Sequence, residues 1–217
     1  MKPLADCRLY GILDLGYVFP EAAPHAVSGM IAGGVDILQL RAKNYSAEQI
    51  QEIAERIILL TEPAGVPLII NDFPELVPAV GAQGAHVGQD DRAVADARWR
   101  AGRALAGEVP LPLIGKSTHS VAQAVAAEEE GADYIGFGPL HATPTKPGRP
   151  AIGLEDIRRV HELVKIPIFC IGGIKLENLS SVLAAGACRV VIVSGILQAA
   201  DIAGYCRSVN SILKNNP

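Results

Sequence analysis

The chain has no apolar run approaching the about 18 residues that a membrane-spanning helix needs, and its opening stretch MKPLADCRLYG lacks the apolar core of a secretion signal. A cytoplasmic protein without membrane contact is therefore expected. Basic residues are not in excess: 19 Lys and Arg stand against 23 Asp and Glu, a formal net charge of -4, which argues against nucleic acid as a partner because such domains carry a basic stripe. A local cluster of cations can still hold an anion, since screening confines surface electrostatics to about 8 Å. Cysteine is scarce. Cys7, Cys170, Cys188 and Cys206 lie far apart with no C-x-x-C and no paired-His spacing, which argues against zinc or a disulfide framework and leaves buried free thiols. Charged residues make up only 19 % against 49 % hydrophobic, so disorder is disfavoured and a substantial core is available. No G-x-G-x-x-G follows the first apolar run, which counts against an open dinucleotide-binding sheet.

What is present is a repeated step. Eight short runs rich in Val, Ile and Leu recur along the chain: CRLYGILDL, VDILQL, VPLIIN, GAHVGQ, LPLIGKS, ADYIGFG, IPIFCIGG and RVVIVSG. Near-continuous apolar runs are what parallel strands show when both faces are covered. Segments of helical period separate them, the clearest from Ser46 to Leu60, where Ile50, Ile53, Ala54, Ile57 and Ile58 share a face and Ser46 and Gln49 have capping-box spacing. Four of the strands follow a glycine in AGGVDILQL, VGAQGAHVG, EEGADYIGFG and AAGACRVVIV, where a left-handed residue can end the preceding helix. Eight strands alternating with helices in 217 residues predict a single (β/α)8 TIM-barrel domain over 1–217, with an open α/β sheet as the minority alternative. Nothing marks a second domain or linker.

In that architecture the chemistry belongs at the C-terminal ends of the strands. Gln39, Arg41 and Lys43 alternate, so their side chains share one side of the strand; they form an anion site, a buried ion pair or a solvated rim. The third strand ends in Asn71 and Asp72 and the fourth leads into Asp90 and Asp91. Either acid alone reads as a helix cap, whereas both together beside cations suit magnesium, which takes one or two carboxylates plus water and phosphate oxygens. His86 reads as a hydrogen-bonded structural histidine. The fifth strand ends in Ser117 and His119, with Ser120 as a helix cap, and no nucleophile–base–orienter set supports covalent serine catalysis. The glycines in IGGI and VSGIL, after the seventh and eighth strands, suit a backbone phosphate site or tight packing. HATPTKPGRPAIG, residues 141–153, is the sixth strand-to-helix loop, its position favouring a lid or binding loop over a linker.

Taken in order, LYGILD, GGVDILQLRAK, IIND, GAHVGQDD, GKSTH, GADYIGFGP, TPTK, IGLEDI, IPIFCIGGI and VIVSGIL resemble the thiamine-phosphate synthase family over nearly the whole chain. The resemblance implies a magnesium-dependent transferase that joins hydroxymethylpyrimidine diphosphate to a thiazole phosphate carboxylate, releasing pyrophosphate and carbon dioxide. It also implies roles. Gln39, Leu40, Arg41, Ala42, Lys43, Asn71, Ser117 and Lys146 would bind the pyrimidine diphosphate, and Asp72 and Asp91 would hold magnesium. Thr143, Pro144 and Thr145, with Gly173, Val193 and Ser194, would bind the thiazole phosphate. Arg41, Lys43, Ser117 and Lys146 would carry catalysis, the substrates being small molecules and a homodimer one oligomeric state open to the protein. Three departures stand out: Cys170 could tighten the thiazole pocket, Pro78 interrupts the third helix, and the stretch 92–112 is longer than the family pattern by a few residues. The related thiazole tautomerase, which needs no metal, and a non-catalytic sensor of thiamine precursors are the alternatives; the paired acids weigh against both, and TPTK against the tautomerase.

Overall fold

Every apolar run becomes a strand, and the eight strands close on themselves in chain order with all neighbours parallel. The computed structural model describes residues 2–89, 91–102, 111–143 and 150–216. The strands are β1 (Leu9–Asp14), β2 (Ile37–Arg41), β3 (Leu68–Asn71), β4 (Gly84–Val87), β5 (Leu113–Thr118), β6 (Tyr134–Phe137), β7 (Ile168–Ile171) and β8 (Val190–Ile192). Around them run α1 (Ala23–Ala32), α2 (Ala47–Thr61), α3 (Val77–Val80), α4 (Val94–Gly102), α5 (Val121–Glu129), α6 (Ile157–Leu163) and α7 (Leu176–Ala184). After β8 the chain makes a short extra helix α8 (Ser194–Leu197) before α9 (Ile202–Lys214). Among the described residues no helix is long and apolar enough to cross a membrane.

Local chemistry sets these boundaries. Ser46 Oγ accepts the Gln49 N–H and the Gln49 side chain accepts the Ser46 N–H at 2.9 Å, closing both halves of the capping box at the start of α2. Gly34, Gly81, Gly131 and Gly186 have φ of +83°, +71°, +87° and +110°, the left-handed backbone that ends a helix and turns the chain into the next strand. Ser120 caps α5 through the Gln123 N–H. Pro78 does not interrupt the third helix, which corrects the expectation from sequence. It lies in the first turn of α3, where a residue without an N–H costs nothing, and the helix is short because Gly81 ends it. The stretch 92–112 passes partly outside the described residues.

The core has two compartments because strand side chains alternate. Leu9, Leu13, Leu38, Leu40, Leu68, Ile70, Ile135 and Ile192 face the helices, whereas Tyr10, Ile12, Ile37, Ile69, Tyr134, Phe169 and Val191 fill the barrel. Inside, Phe169 meets Tyr10 and Tyr134 edge-on at ring separations of 5.4 and 5.7 Å. Gly115 makes the room for this cluster: a Cβ there would lie 2.1 Å from the Tyr134 ring.

Two expectations about cysteine change. Cys170 packs among the helix-facing residues and does not line the barrel cavity, because its neighbours Phe169 and Ile171 take the inward positions. It therefore cannot tighten a pocket at the mouth. Cys188 is exposed, since it sits in the turn between Gly186 and β8, before the strand enters the core; Cys7, Cys170 and Cys206 are buried. Burial pushes the Cys7 thiol up to about 11 and those of Cys170 and Cys206 up to about 12. Only the thiolate alkylates, so iodoacetamide near pH 8 is expected to modify Cys188 alone in the native protein. A second adduct on folded chain, seen by intact mass, would contradict this.

Candidate active site at the barrel mouth

The C-terminal ends of the strands surround one cavity. It is lined by Gln39, Arg41, Asn71, Ser117, Thr143, Gly173, Val193 and Ser194, together with His86 and Tyr134. Residues from positions 39 to 194 thus meet around one opening. Leu40 and Ala42 are buried on the helix-facing side, so within the run 39–43 they can reach a ligand only through their backbone. Lys43, Asp72 and Asp91 stand outside the cavity lining, on the segments that follow β2, β3 and β4. Pro144, Thr145 and Lys146, like Asp90, lie outside the described residues.

Both cations of the second strand end are paired. Arg41 donates through Nη1 to Asp14 Oδ2 at 2.6 Å, a bridge made possible because Asp14 and Arg41 are register partners on β1 and β2. Asp14 is only 2 % exposed, and its Oδ1 also accepts the Gly16 N–H at 2.9 Å. Lys43 bonds the Asp72 carboxylate at the half-exposed rim. Of the alternatives read from sequence, the structure shows the ion pairs: the acids hold the cations in place.

Asp72 has φ +66°, unusual for a residue with a side chain, and its N–H bonds the His86 carbonyl at 2.9 Å, which ties the ends of β3 and β4 together. Asp91 Oδ2 accepts the Gly88 N–H at 2.8 Å, and a Cβ on Gly88 would lie 2.2 Å from that oxygen. The two acids therefore leave adjacent strand ends. Among the described residues no three His, Cys, Asp or Glu side chains form a metal-sized cluster.

At the far side, Gly172 and Gly173 have φ of +103° and +63°, and a Cβ on Gly173 would come within 2.7 Å of His141 Cβ. This close approach lets the His141 N–H bond the Gly172 carbonyl at 3.0 Å and brings the loop after β6 over the loop after β7. Asn178 holds the Gly173 carbonyl at 2.8 Å, and α8 begins at Ser194 beside them. Backbone of this kind, with an extra short helix after the eighth strand, suits a phosphate.

The structure adds residues that the sequence passed over. Asp14 closes LYGILD and is a strand-end acid like Asp72, so the same rule would have found it. Tyr10 and Tyr134 are aromatic residues with polar tips inside otherwise apolar strands, in a chain with 5 % aromatics. His86 is hydrogen-bonded, yet it also lines the cavity: its Nε2 is 3.0 Å from Ser117 Oγ and its Nδ1 is 3.3 Å from the Tyr134 hydroxyl. Burial raises the Tyr134 phenol well above its usual range, so the third group behind Ser117 and His86 is neutral. Tyr134 is a phenol and not the carboxylate that orients the histidine in covalent serine chemistry.

Known proteins share this architecture and sequence. The sequence profile of thiamine monophosphate synthase matches residues 9–196. The thiamine-phosphate synthase of Thermus thermophilus is 45 % identical over 182 residues, covering 83 % of this chain and 84 % of the relative. That of Chloroflexus aurantiacus is 39 % identical over 211 residues, 97 % of this chain and 94 % of the relative. Among solved structures, a thiamine phosphate pyrophosphorylase from Pyrococcus furiosus superimposes with a TM-score of 0.83 at 30 % identity, covering 96 % of each chain. A 3-hexulose-6-phosphate synthase from Salmonella typhimurium shares the fold at a TM-score of 0.69 and 19 % identity, covering 97 % of this chain and 100 % of the other.

Proposed function

The chain belongs to the thiamine monophosphate synthase family, with the activity of a thiamine-phosphate synthase, a transferase of thiamine biosynthesis, and we propose that its barrel mouth joins hydroxymethylpyrimidine diphosphate to a thiazole phosphate or its carboxylate. The observation that carries the site assignment is the convergence of Gln39, Arg41, Asn71, Ser117, Thr143, Gly173, Val193 and Ser194 on one cavity. Gln39, Leu40, Arg41, Ala42, Lys43, Asn71, Ser117 and Lys146 take the pyrimidine diphosphate. Thr143, Pro144, Thr145, Gly173, Val193 and Ser194 take the thiazole phosphate.

Magnesium fits Asp72 and Asp91 by the chemistry of the donors: two hard carboxylates on adjacent strand ends, with water and diphosphate oxygens left to complete the shell. In each, one carboxylate oxygen is engaged, by Lys43 or by the Gly88 N–H, and the other has no hydrogen-bond partner among the described residues. When bound, the ion would neutralise charge on the diphosphate leaving group. The chain's own residues do the rest. Arg41, oriented by Asp14, and Lys43 stabilise the departing oxygens, and the mouth holds the thiazole nitrogen in line with the carbon that pyrophosphate leaves. Departure precedes capture, through a pyrimidine-stabilised cation, so no strong general base is needed.

Mixing both substrates with and without magnesium tests this. Thiamine phosphate and pyrophosphate are expected together only when both substrates and the metal are present; full release without magnesium, or none at all, would contradict the proposal.

A further inference from the structure

A line of hydrogen bonds runs along the cavity lining, and its three middle members, Tyr10, Tyr134 and His86, have no part in this chemistry. Gln39 Nε2 donates to the Tyr10 hydroxyl at 2.9 Å, and that hydroxyl lies 3.0 Å from the Tyr134 hydroxyl. The Tyr134 hydroxyl is 3.3 Å from His86 Nδ1, and His86 Nε2 is 3.0 Å from Ser117 Oγ. Five strands, β2, β1, β6, β4 and β5, each contribute one side chain. All five residues line the cavity, with Ser117 at the open end of the line.

Counting hydrogens orders the line. Each phenol, and an imidazole in its neutral form, carries one hydrogen on its polar atoms, and burial pushes both phenols to higher pKa, so neither ionises near neutral pH. Tyr10 receives a hydrogen from Gln39, which leaves its own for Tyr134. Tyr134 then passes its hydrogen to His86 Nδ1. An imidazole that accepts at Nδ1 carries its hydrogen on Nε2 and donates it to Ser117 Oγ. The reverse order would leave the buried Tyr10 hydroxyl accepting twice with no acceptor for its own hydrogen among these partners, at the cost of an unmade buried hydrogen bond.

We infer that Gln39, acting through Tyr10, Tyr134 and His86, fixes Ser117 as a hydrogen-bond donor towards the cavity, so that Ser117 selects an acceptor such as an unprotonated ring nitrogen over an amino group. The inference rests on the proposal that Ser117 faces the pyrimidine, which carries both kinds of group. Tyr10, Tyr134 and His86 are positioning residues in this arrangement. The Ser117 hydroxyl is the group that touches substrate.

The ring tautomer of His86 reports the direction without any substrate. Long-range proton–nitrogen spectra of histidine-labelled protein, with His86 assigned by its loss in His86→Gln, are expected to show the Nε2–H form in the wild type. Gln39→Met removes the first donor, three links from the imidazole, and is expected to raise the Nδ1–H population. Tyr10→Phe gives the same readout should Gln39→Met fail to fold. A merely structural role for Gln39 would leave the tautomer unmoved. An Nδ1–H wild type, or unchanged spectra in both folded variants, overturns the inference. Calorimetry with the pyrimidine diphosphate and magnesium is the second arm: Tyr134→Phe is expected to weaken its binding between about two- and tenfold, with the KM for thiazole phosphate unchanged. Unaltered binding in that variant overturns the selection by Ser117. The expected tautomers in a protein that binds no pyrimidine diphosphate would uphold the order of the line and sink the functional proposal instead.

Discussion

Replacing Asp72 and Asp91 together with Asn is expected to lower pyrophosphate release about a thousandfold, corresponding to roughly 4 kcal/mol of lost transition-state stabilisation, while the barrel stays folded. The first part follows from the proposed magnesium site, since an amide is a far poorer ligand for a hard cation than a carboxylate. The second follows from local geometry. Asn tolerates the left-handed backbone at position 72, where φ is +66°, nearly as well as Asp does. At position 91 the amide oxygen can still accept the Gly88 N–H. The Lys43–Asp72 bridge lost in the process is half exposed on the lysine side, and such pairs contribute little to stability. Matching circular dichroism and melting curves, alongside turnover at saturating magnesium, check both halves. Full activity in the double variant would end the metal assignment.

Arg41→Ala is expected to cost both activity and stability, by distinct causes. Losing a preorganised cation beside a leaving group lowers turnover roughly a hundredfold or more. Stability falls by about 3 kcal/mol because Asp14, 2 % exposed, is left as a buried charge without its partner. Removing Asp14 as well separates the two effects. The Asp14→Ala/Arg41→Ala protein should regain part of the stability, since no unpaired charge remains, yet none of the turnover. Denaturant unfolding and steady-state kinetics on the two variants give the comparison. A double variant as unstable as Arg41→Ala would show that the bridge is not what makes the single change costly.

These effects trace to residues of unequal legibility. Arg41, Lys43, Asp72 and Asp91 are charged positions at the ends of apolar runs, and charge in such places stands out in any linear reading. Asp14 obeys the same rule and needed only its application to the first strand. Tyr10, His86 and Tyr134 are different. Each is one polar atom on an otherwise core-like side chain, and its partner lies 124 residues away for the Tyr10–Tyr134 pair and 48 for His86–Tyr134. Nothing local distinguishes a histidine that serves packing from one that orients Ser117.

By itself the amino-acid order determined the alternation of strand and helix, the places where helices start and stop, and the barrel these imply. Those features arise from interactions within a few residues: a capping box, a left-handed glycine, an apolar run of strand length. Which side of each strand looks inward was decided only by closure of the sheet. In a parallel barrel both faces are apolar, so the period of two is silent in sequence, and Cys170 and Phe169 could have exchanged roles. Closure also chose the partners of Arg41 and Ser117, because contacts across a barrel depend on the register of distant strands rather than on any neighbour along the chain.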